Sequence, residues 1–246
     1  MFNSIHPETG VVDDLLSLVL GSSREVSGRP WVLINMVASV DGATTVDGRS
    51  SGLGDDDDLA MFKALRAVHD VILVGAGTAR AEDYGPVRLD PARVERRQVL
   101  GREDLPRLAV VSGRLDLDPK ARLFSRPETP PMIITGPAAN PDRLKSLEAV
   151  AELVVLDDLS VEAVIEHLGQ AEVILCEGGP SLNSQLAAAA LIDEVNLTIA
   201  PVMVGGVSKR IVEGVAVDPP LDMSLDRILA GDRSLFFRYL SRNGRS

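Results

Sequence analysis

The sequence predicts an α/β protein with a mainly parallel central sheet and an antiparallel hairpin at one edge. Three features carry this expectation. Short apolar runs of strand length alternate with helical patterns along most of the chain. Val71-Ile72-Leu73-Val74 is apolar without alternation, as a strand covered on both faces should be. The last two apolar runs, Ile192 to Ala200 and Leu235 to Leu240, have no convincing helix between them and are expected to form the edge hairpin.

The elements follow in order. Residues 1–29 read as a lead-in, with a short helix over 13–20 and a loop through Gly21-Ser22-Ser23 and Ser27-Gly28. Arg29-Pro30 introduces the first core strand, 31–38, which runs into Ser39-Val40-Asp41-Gly42. From Asp41 to Asp58 the chain is glycine-rich and forms a long loop over the mouth of the sheet, a length usually tied to function. Asp55 to Asp58 is read as the acidic start of the helix that continues to Ala67, not as a metal cluster. The strand at 71–74 passes through Gly75-Ala76-Gly77-Thr78 into a helix ending near Asp83, and Tyr84-Gly85-Pro86 turns the chain. Residues 90–104, with four arginines and four acids, are expected to be a solvated excursion. Strands at 108–111, 132–135 and 153–156 alternate with helices at 142–150 and 161–168, the latter capped by Ser160. A strand at 172–176 turns through Glu177-Gly178-Gly179-Pro180 into an alanine-rich helix at 181–190, and Pro201 to Ser208 is a loop. No linker or repeat divides the chain, so a single domain over 1–246 is expected, its core in 30–241.

Composition narrows the function. A chain of 246 residues can bury a full core. A net charge of −11 argues against a nucleic-acid surface. The lone Cys176 can form neither an internal disulfide nor a two-cysteine zinc site, which suits a reducing cytoplasm. No apolar run reaches membrane length, and nothing near Met1 reads as a signal peptide.

Nucleophilic hydrolysis is poorly supported, because no Gly-x-Ser-x-Gly elbow occurs. His69 and His167 fall near helix ends, where a solvated histidine is expected, and Cys176 reads as a small buried hydrophobe. No metal is expected, since zinc ligands are lacking. What remains is recognition of a phosphate-bearing ligand. The turns at 75–78 and 177–181 each carry a strand through glycines into a helix, which aims free N–H groups and a positive dipole end at one point. Two such points suit a pyrophosphate or two separate phosphates. Gly75-x-Gly77-Thr78 is not the dinucleotide fingerprint, because Arg80 stands where its third glycine belongs.

An ordered series of residues carries a resemblance. Val37-Ala38-Ser39-Val40-Asp41-Gly42, Leu65-Arg66-Ala67, Val71 to Thr78, Glu177 to Leu182, Asp193-Glu194-Val195 and Ile199 to Gly206 occur in order and at suitable spacing. The series resembles the pyrimidine reductase domain of riboflavin biosynthesis, over about residues 30–240. The zinc signature of the deaminase half found in bifunctional members does not occur, so the resemblance is to a stand-alone reductase. It implies a dihydrofolate reductase-like three-layer fold, NADPH as cofactor, a ribosylamino-pyrimidine phosphate as substrate, and a cytoplasmic homodimer. Exposed pairing edges expected at Val195 to Val204 and Leu235 to Leu240 also favour the dimer.

The resemblance assigns residues. Val37 and Ala38 are expected against the nicotinamide. Gly75, Gly77, Thr78 and Glu82 fall near the cofactor, with Gly178, Gly179, Pro180, Ser181 and Leu182 under its pyrophosphate. Ser112 and Arg114 suit the adenosine 2′-phosphate as hydroxyl and guanidinium donors. Ser50, Arg66 and Arg88 match substrate-binding positions, and Glu177 matches the substrate-side acid. Glu177 and Asp41 are the acids nominated to supply a proton, with water as the other source. Asn35 stands where many members carry a lysine that approaches the ribose, and Gly52 where many carry a tryptophan. Two other functions stay open at this point: dihydrofolate reduction, which needs an acid in the pterin pocket, and NADPH binding without turnover.

Overall fold

The computed structural model describes residues 1–21, 28–126 and 129–242, so part of the loop expected through Ser22, Ser23 and Ser27 lies outside the described residues. The parallel strands are β3 (Trp31–Ser39), β4 (Val71–Gly75), β5 (Arg107–Val111), β6 (Met132–Thr135), β7 (Glu152–Val155), β8 (Val173–Cys176) and β9 (Glu194–Ala200). Their spatial order is β9-β3-β8-β4-β5-β6-β7, every neighbouring pair parallel. Their carboxyl ends therefore share one rim. Strand β8 inserts between β3 and β4, and reversals of strand order of this kind open a crevice at that rim.

An antiparallel part extends the sheet beyond β9. It comprises β1 (Phe2–His6), β2 (Gly10–Val12), β10 (Met223–Ala230) and β11 (Leu235–Ser241), in the order β2-β1-β10-β11-β9. The antiparallel edge expected from the sequence is present, but its strands are arranged differently. Strands β9 and β11 do pair antiparallel, but each has a second partner, so neither is an edge. The hairpin is β10–β11, and the edge on that side is β2. Strand β10 escapes a search for apolar runs because Asp226 and Arg227 interrupt it. Asp226 is used: it accepts from Arg238 at 2.6 Å, and Arg238 also reaches the fully buried Glu194 at 2.9 Å.

Helices cover both faces. On one lie α1 (Leu15–Leu20), α2 (Asp56–Val68), α3 (Ala76–Ala81) and α5 (Pro141–Leu147), packed on Leu33, Ile72, Val110, Ile133 and Leu175. On the other lie α6 (Val161–His167) and α7 (Pro180–Ala188), packed on Val32, Ile34, Leu73, Ala109 and Ile174. Each such fully buried Val, Leu or Ile side chain is worth about 1.5–3 kcal/mol. Sheet between two helical layers gives the three-layer arrangement.

Residues 90–104 are not solvated coil. Asp90 caps α4 (Pro91–Val99), with proline in its first turn. Arg97 is buried, and it donates to the carbonyls of His69 at 2.7 Å and Ala67 at 3.2 Å; Arg102 reaches that of Val68 at 2.7 Å. These arginines satisfy the orphan carbonyls that end α2. His69 is likewise buried, its Nδ1 2.7 Å from the Leu65 carbonyl, and is not the solvated histidine the sequence suggested.

Candidate active site

The rim of the parallel strands opens into a cavity of about 940 Å³. That is near the upper end of the roughly 300–1,000 Å³ usual for ligand sites. It is walled by the two glycine turns, by the loop after β5, by the 42–54 segment and by the outer part of α2.

The two turns are joined directly: the Gly75 N–H donates to the Gly178 carbonyl at 2.7 Å. Gly178 holds φ +85°, a conformation that side chains disfavour. A Cβ on Gly179 would stand 2.3 Å from the Thr78 hydroxyl, so the close approach of the turns requires glycine there. Helix capping sets these turns apart. Asp14, Asp55, Asp90, Asn140 and Ser160 each accept a backbone N–H at the start of α1, α2, α4, α5 and α6. Helices α3 and α7 begin at Gly75 and Gly179 with no side-chain cap. A capping oxygen would consume the N–H groups that an anion needs. At α3 and α7, whose first turns line the cavity, no side-chain cap consumes them.

Past β5, Ser112 is buried at the cavity wall and Arg114 is exposed at its rim. Glu82 and Ser50 meet, the Ser50 N–H donating to the Glu82 carboxylate at 2.7 Å. Asn35 and Val37 lie on the face of β3 toward α2 and line the cavity. Ala38 is buried and does not line it.

Helix α2 presents one face through residues 58, 62 and 66, spaced four apart. Phe62 lines the cavity, and the Arg66 guanidinium lies 4.1 Å from its ring centroid. Arg66 forks onto the buried Glu177, Nε to Oε1 at 2.7 Å and Nη2 to Oε2 at 2.6 Å. The Tyr84 hydroxyl donates to the same Oε2 at 2.6 Å. Burial, then the Glu177 charge, push the Tyr84 phenol well above its usual range, so it stays protonated. Glu177 thus lines the cavity as an acceptor on both oxygens, which does not suit the proton-donor role expected of it. Arg66 is not among the lining residues; its fork faces Glu177 instead of an open phosphate site.

Two further residues named from the sequence lie off the cavity wall. Asp41 accepts from the Ser39 hydroxyl at 2.5 Å and from the N–H groups of Val204 at 3.1 Å and Gly205 at 2.7 Å. It pins the loop after β9 to the end of β3 and does not line the cavity. The Ser39 hydrogen bond, with those two amides, lowers its pKa to about 2, the opposite of what a proton donor requires. Arg88 is exposed and also lies off the cavity wall. Cys176 is buried as expected, and burial pushes its thiol up to about 12.

Sequence reading missed Asp58 and Lys209, both of which line the cavity. Asp58 was absorbed into the acidic helix start. Asp55 alone caps α2, by accepting the Asp58 N–H at 2.8 Å, while the Asp58 side chain turns inward. The spacing of Asp58, Phe62 and Arg66 along one helix face was the available signal. No group of three or more His, Cys, Asp or Glu side chains among the described residues converges on a metal position.

Comparison with known proteins extends the reading. Residues 30–236 match the family described as the RibD C-terminal domain. The chain is 33% identical over 199 residues to 2,5-diamino-6-ribosylamino-4(3H)-pyrimidinone 5′-phosphate reductase of Methanothermobacter thermautotrophicus, covering 79% of this chain and 88% of that protein. A pyrimidine reductase-like protein from Corynebacterium diphtheriae superposes with a TM-score of 0.80 at 31% identity, covering 92% of this chain and 98% of that one. Dihydrofolate reductase from Enterococcus faecalis superposes at 0.51 with 13% identity, covering 87% and 97%, a likeness of fold alone.

Proposed function

This chain belongs to the RibD C-terminal domain family, and from that premise we propose that it reduces a ribosylamino-pyrimidine 5′-phosphate of riboflavin biosynthesis with NADPH. The ribose becomes a ribityl chain by hydride transfer to its C1. The observation that carries the reading is the pair of uncapped helix N-termini at Gly75 and Gly179, meeting at one wall of a cavity large enough for two ligands. When bound, the nicotinamide supplies the hydride. Gly75, Gly77, Thr78 and Gly178 to Leu182 build the pyrophosphate cradle, Ser112 and Arg114 hold the 2′-phosphate, and Val37 lies against the nicotinamide.

Strand order separates the two ligands. The residues proposed for the cofactor's phosphates follow β8, β4 and β5, whereas Asn35 of β3 and the cavity face of α2 are proposed for the substrate, with Val37 and Glu177 between the two. Glu177, fixed by Arg66 and Tyr84, orients substrate hydroxyls as an acceptor, and Asn35 supplies an uncharged hydrogen bond to the ribose. Opening the ribose and adding hydride also consumes a proton. Water supplies it, since Asp41 stands off the cavity and Glu177 accepts on both oxygens. Lys209, which lines the cavity with no side-chain partner among the described residues, takes the substrate phosphate.

The same reading makes the protein a cytoplasmic homodimer folded as one domain over 1–246. Edges at β9 and β11 no longer motivate the dimer. Its support is the family resemblance together with exposed Val40 and Met203, on loops joined by the Val40 N–H to the Val202 carbonyl. Light scattering that reports a monomer at micromolar concentration would refute that part. The function is tested by following NADPH consumption with the diaminopyrimidinone substrate and with dihydrofolate. Turnover of the first alone supports the proposal; turnover of dihydrofolate alone refutes it.

A further inference from the structure

We infer that Asp58 reads the pyrimidine edge of the substrate, accepting hydrogen bonds from the exocyclic 2-amino group and the adjacent ring N3–H, and so selects the 2,5-diamino pyrimidinone over its deaminated, 2-oxo counterpart. The inference rests on the reductase reading above and specifies which form of the substrate that site takes.

Position is the first argument. Asp58 lies in the first turn of α2, half-buried, and lines the cavity beside Phe62 one turn further on. The Thr198 side chain on β9 is near enough to its carboxylate to favour the charged form. In the sheet, Thr198 is registered against Val37 of β3, the residue placed against the nicotinamide. An acid beside Thr198 is therefore one strand away from the reacting centre. It lies on the side of β3 opposite to β8, β4 and β5, which carry the cofactor turns. Phe62 gives that end of the cavity an aromatic face suited to a flat ring.

Chemistry is the second. Among the described residues no cation is paired with Asp58: the groups acting on it are the Thr198 hydroxyl and the like-charged Asp55. Burial, opposed by the Thr198 hydrogen bond, raises its pKa, so an N–H-bearing ligand would relieve the site. The 2-amino and N3–H groups of a diamino pyrimidinone point the same way and match the two carboxylate oxygens. The deaminated ring puts a carbonyl oxygen where the amino group was, and acceptor would meet acceptor. A site built to pair with an N–H discriminates strongly against an analogue that lacks it.

The experiment measures kcat/KM for the 2,5-diamino and the deaminated substrate, and Kd for NADPH, in wild type, Asp58→Asn and Asp55→Asn. An asparagine can offer its N–H₂ to the 2-oxo group. Asp58→Asn is expected to lower the diamino-to-deaminated ratio by about 10-fold or more with Kd for NADPH unchanged. Asp55→Asn weakens the α2 cap and the Ser234 hydrogen bond and removes a like charge beside Asp58, but leaves the Asp58 carboxylate in place, so it is expected to leave the ratio alone. If Asp58→Asn lowers both substrates equally, or changes neither, Asp58 does not read the ring and the inference is overturned. A wild-type protein that reduces neither pyrimidine overturns the reductase reading itself, and the inference falls with it; that outcome is distinguishable because no ratio then exists.

Discussion

Arg66 and Glu177 form a two-point ion pair, 2.7 and 2.6 Å, between the third turn of α2 and the turn that follows β8. The residues lie far apart in sequence, and the pair ties α2 to the glycine turn after β8. An arginine read as a free phosphate ligand is instead the partner of a buried acid. Breaking such a pair from one side costs about 3–5 kcal/mol, because the other charge stays buried alone. Arg66→Ala is therefore expected to lower thermal stability and to weaken both substrate and NADPH binding. The Arg66→Ala/Glu177→Gln double variant should recover part of the lost stability. A rise in substrate KM with Tm and Kd unchanged would show that Arg66 binds phosphate directly.

The substrate phosphate is assigned to Lys209. Lys209→Ala is expected to raise KM by about 10-fold, the loss of one charge-assisted contact, with Kd for NADPH unchanged. Arg88→Ala, off the cavity wall, should change neither. Steady-state kinetics on the two variants decides the matter, and the reverse pattern would restore Arg88 as the ligand.

Arg114 is expected to distinguish the two nicotinamide cofactors. Its guanidinium stands exposed at the rim beyond β5 with no side-chain partner among the described residues. Arg114→Ala should weaken NADPH by about 10-fold and leave NADH unchanged, since only NADPH carries the 2′-phosphate. Fluorescence titration with both cofactors measures this, and equal losses would remove Arg114 from the phosphate site.

Asp41 is a latch. Its ordinary carboxyl pKa of 3.8 falls to about 2 in the folded protein, first through the Ser39 hydroxyl and then through the Gly205 and Val204 amides. A depressed acid stabilises the folded state above its unfolded pKa and loses that contribution as pH falls through its folded pKa. The latch is thus complete at neutral pH and is lost between about 4 and about 2. Asp41→Ala should speed proteolysis near 201–208 at pH 7. It should reduce kcat far less than the roughly 10²–10⁴-fold attributable to a general acid. A loss within that range would make Asp41 the proton donor.

Much of the fold was legible because buried parallel strands are continuous apolar runs and glycine turns mark their ends, as at 71–78 and 173–180. Strand β10 was hidden by Asp226 and Arg227, and the partner of Asp226, Arg238, comes from a neighbouring strand. Helix α4 was hidden because Arg97 is buried by the carbonyls of another helix, which local sequence does not reveal. The glycine cradle was readable in the same way, since backbone geometry dictates glycine. The pairing of Arg66 with Glu177 and the inward turn of Asp58 were not, because both depend on which elements meet across the sheet.

The most direct test of the central claim follows the hydride. NADPH deuterated at nicotinamide C4, prepared separately in each of the two stereochemical forms, is incubated with the protein and 2,5-diamino-6-ribosylamino-4(3H)-pyrimidinone 5′-phosphate. The product is read by mass spectrometry and NMR. The account predicts that one form, and only one, delivers a single deuterium to C1 of a ribityl chain. Deuterium elsewhere in the product, or NADPH left unconsumed by a protein that binds it, would contradict it.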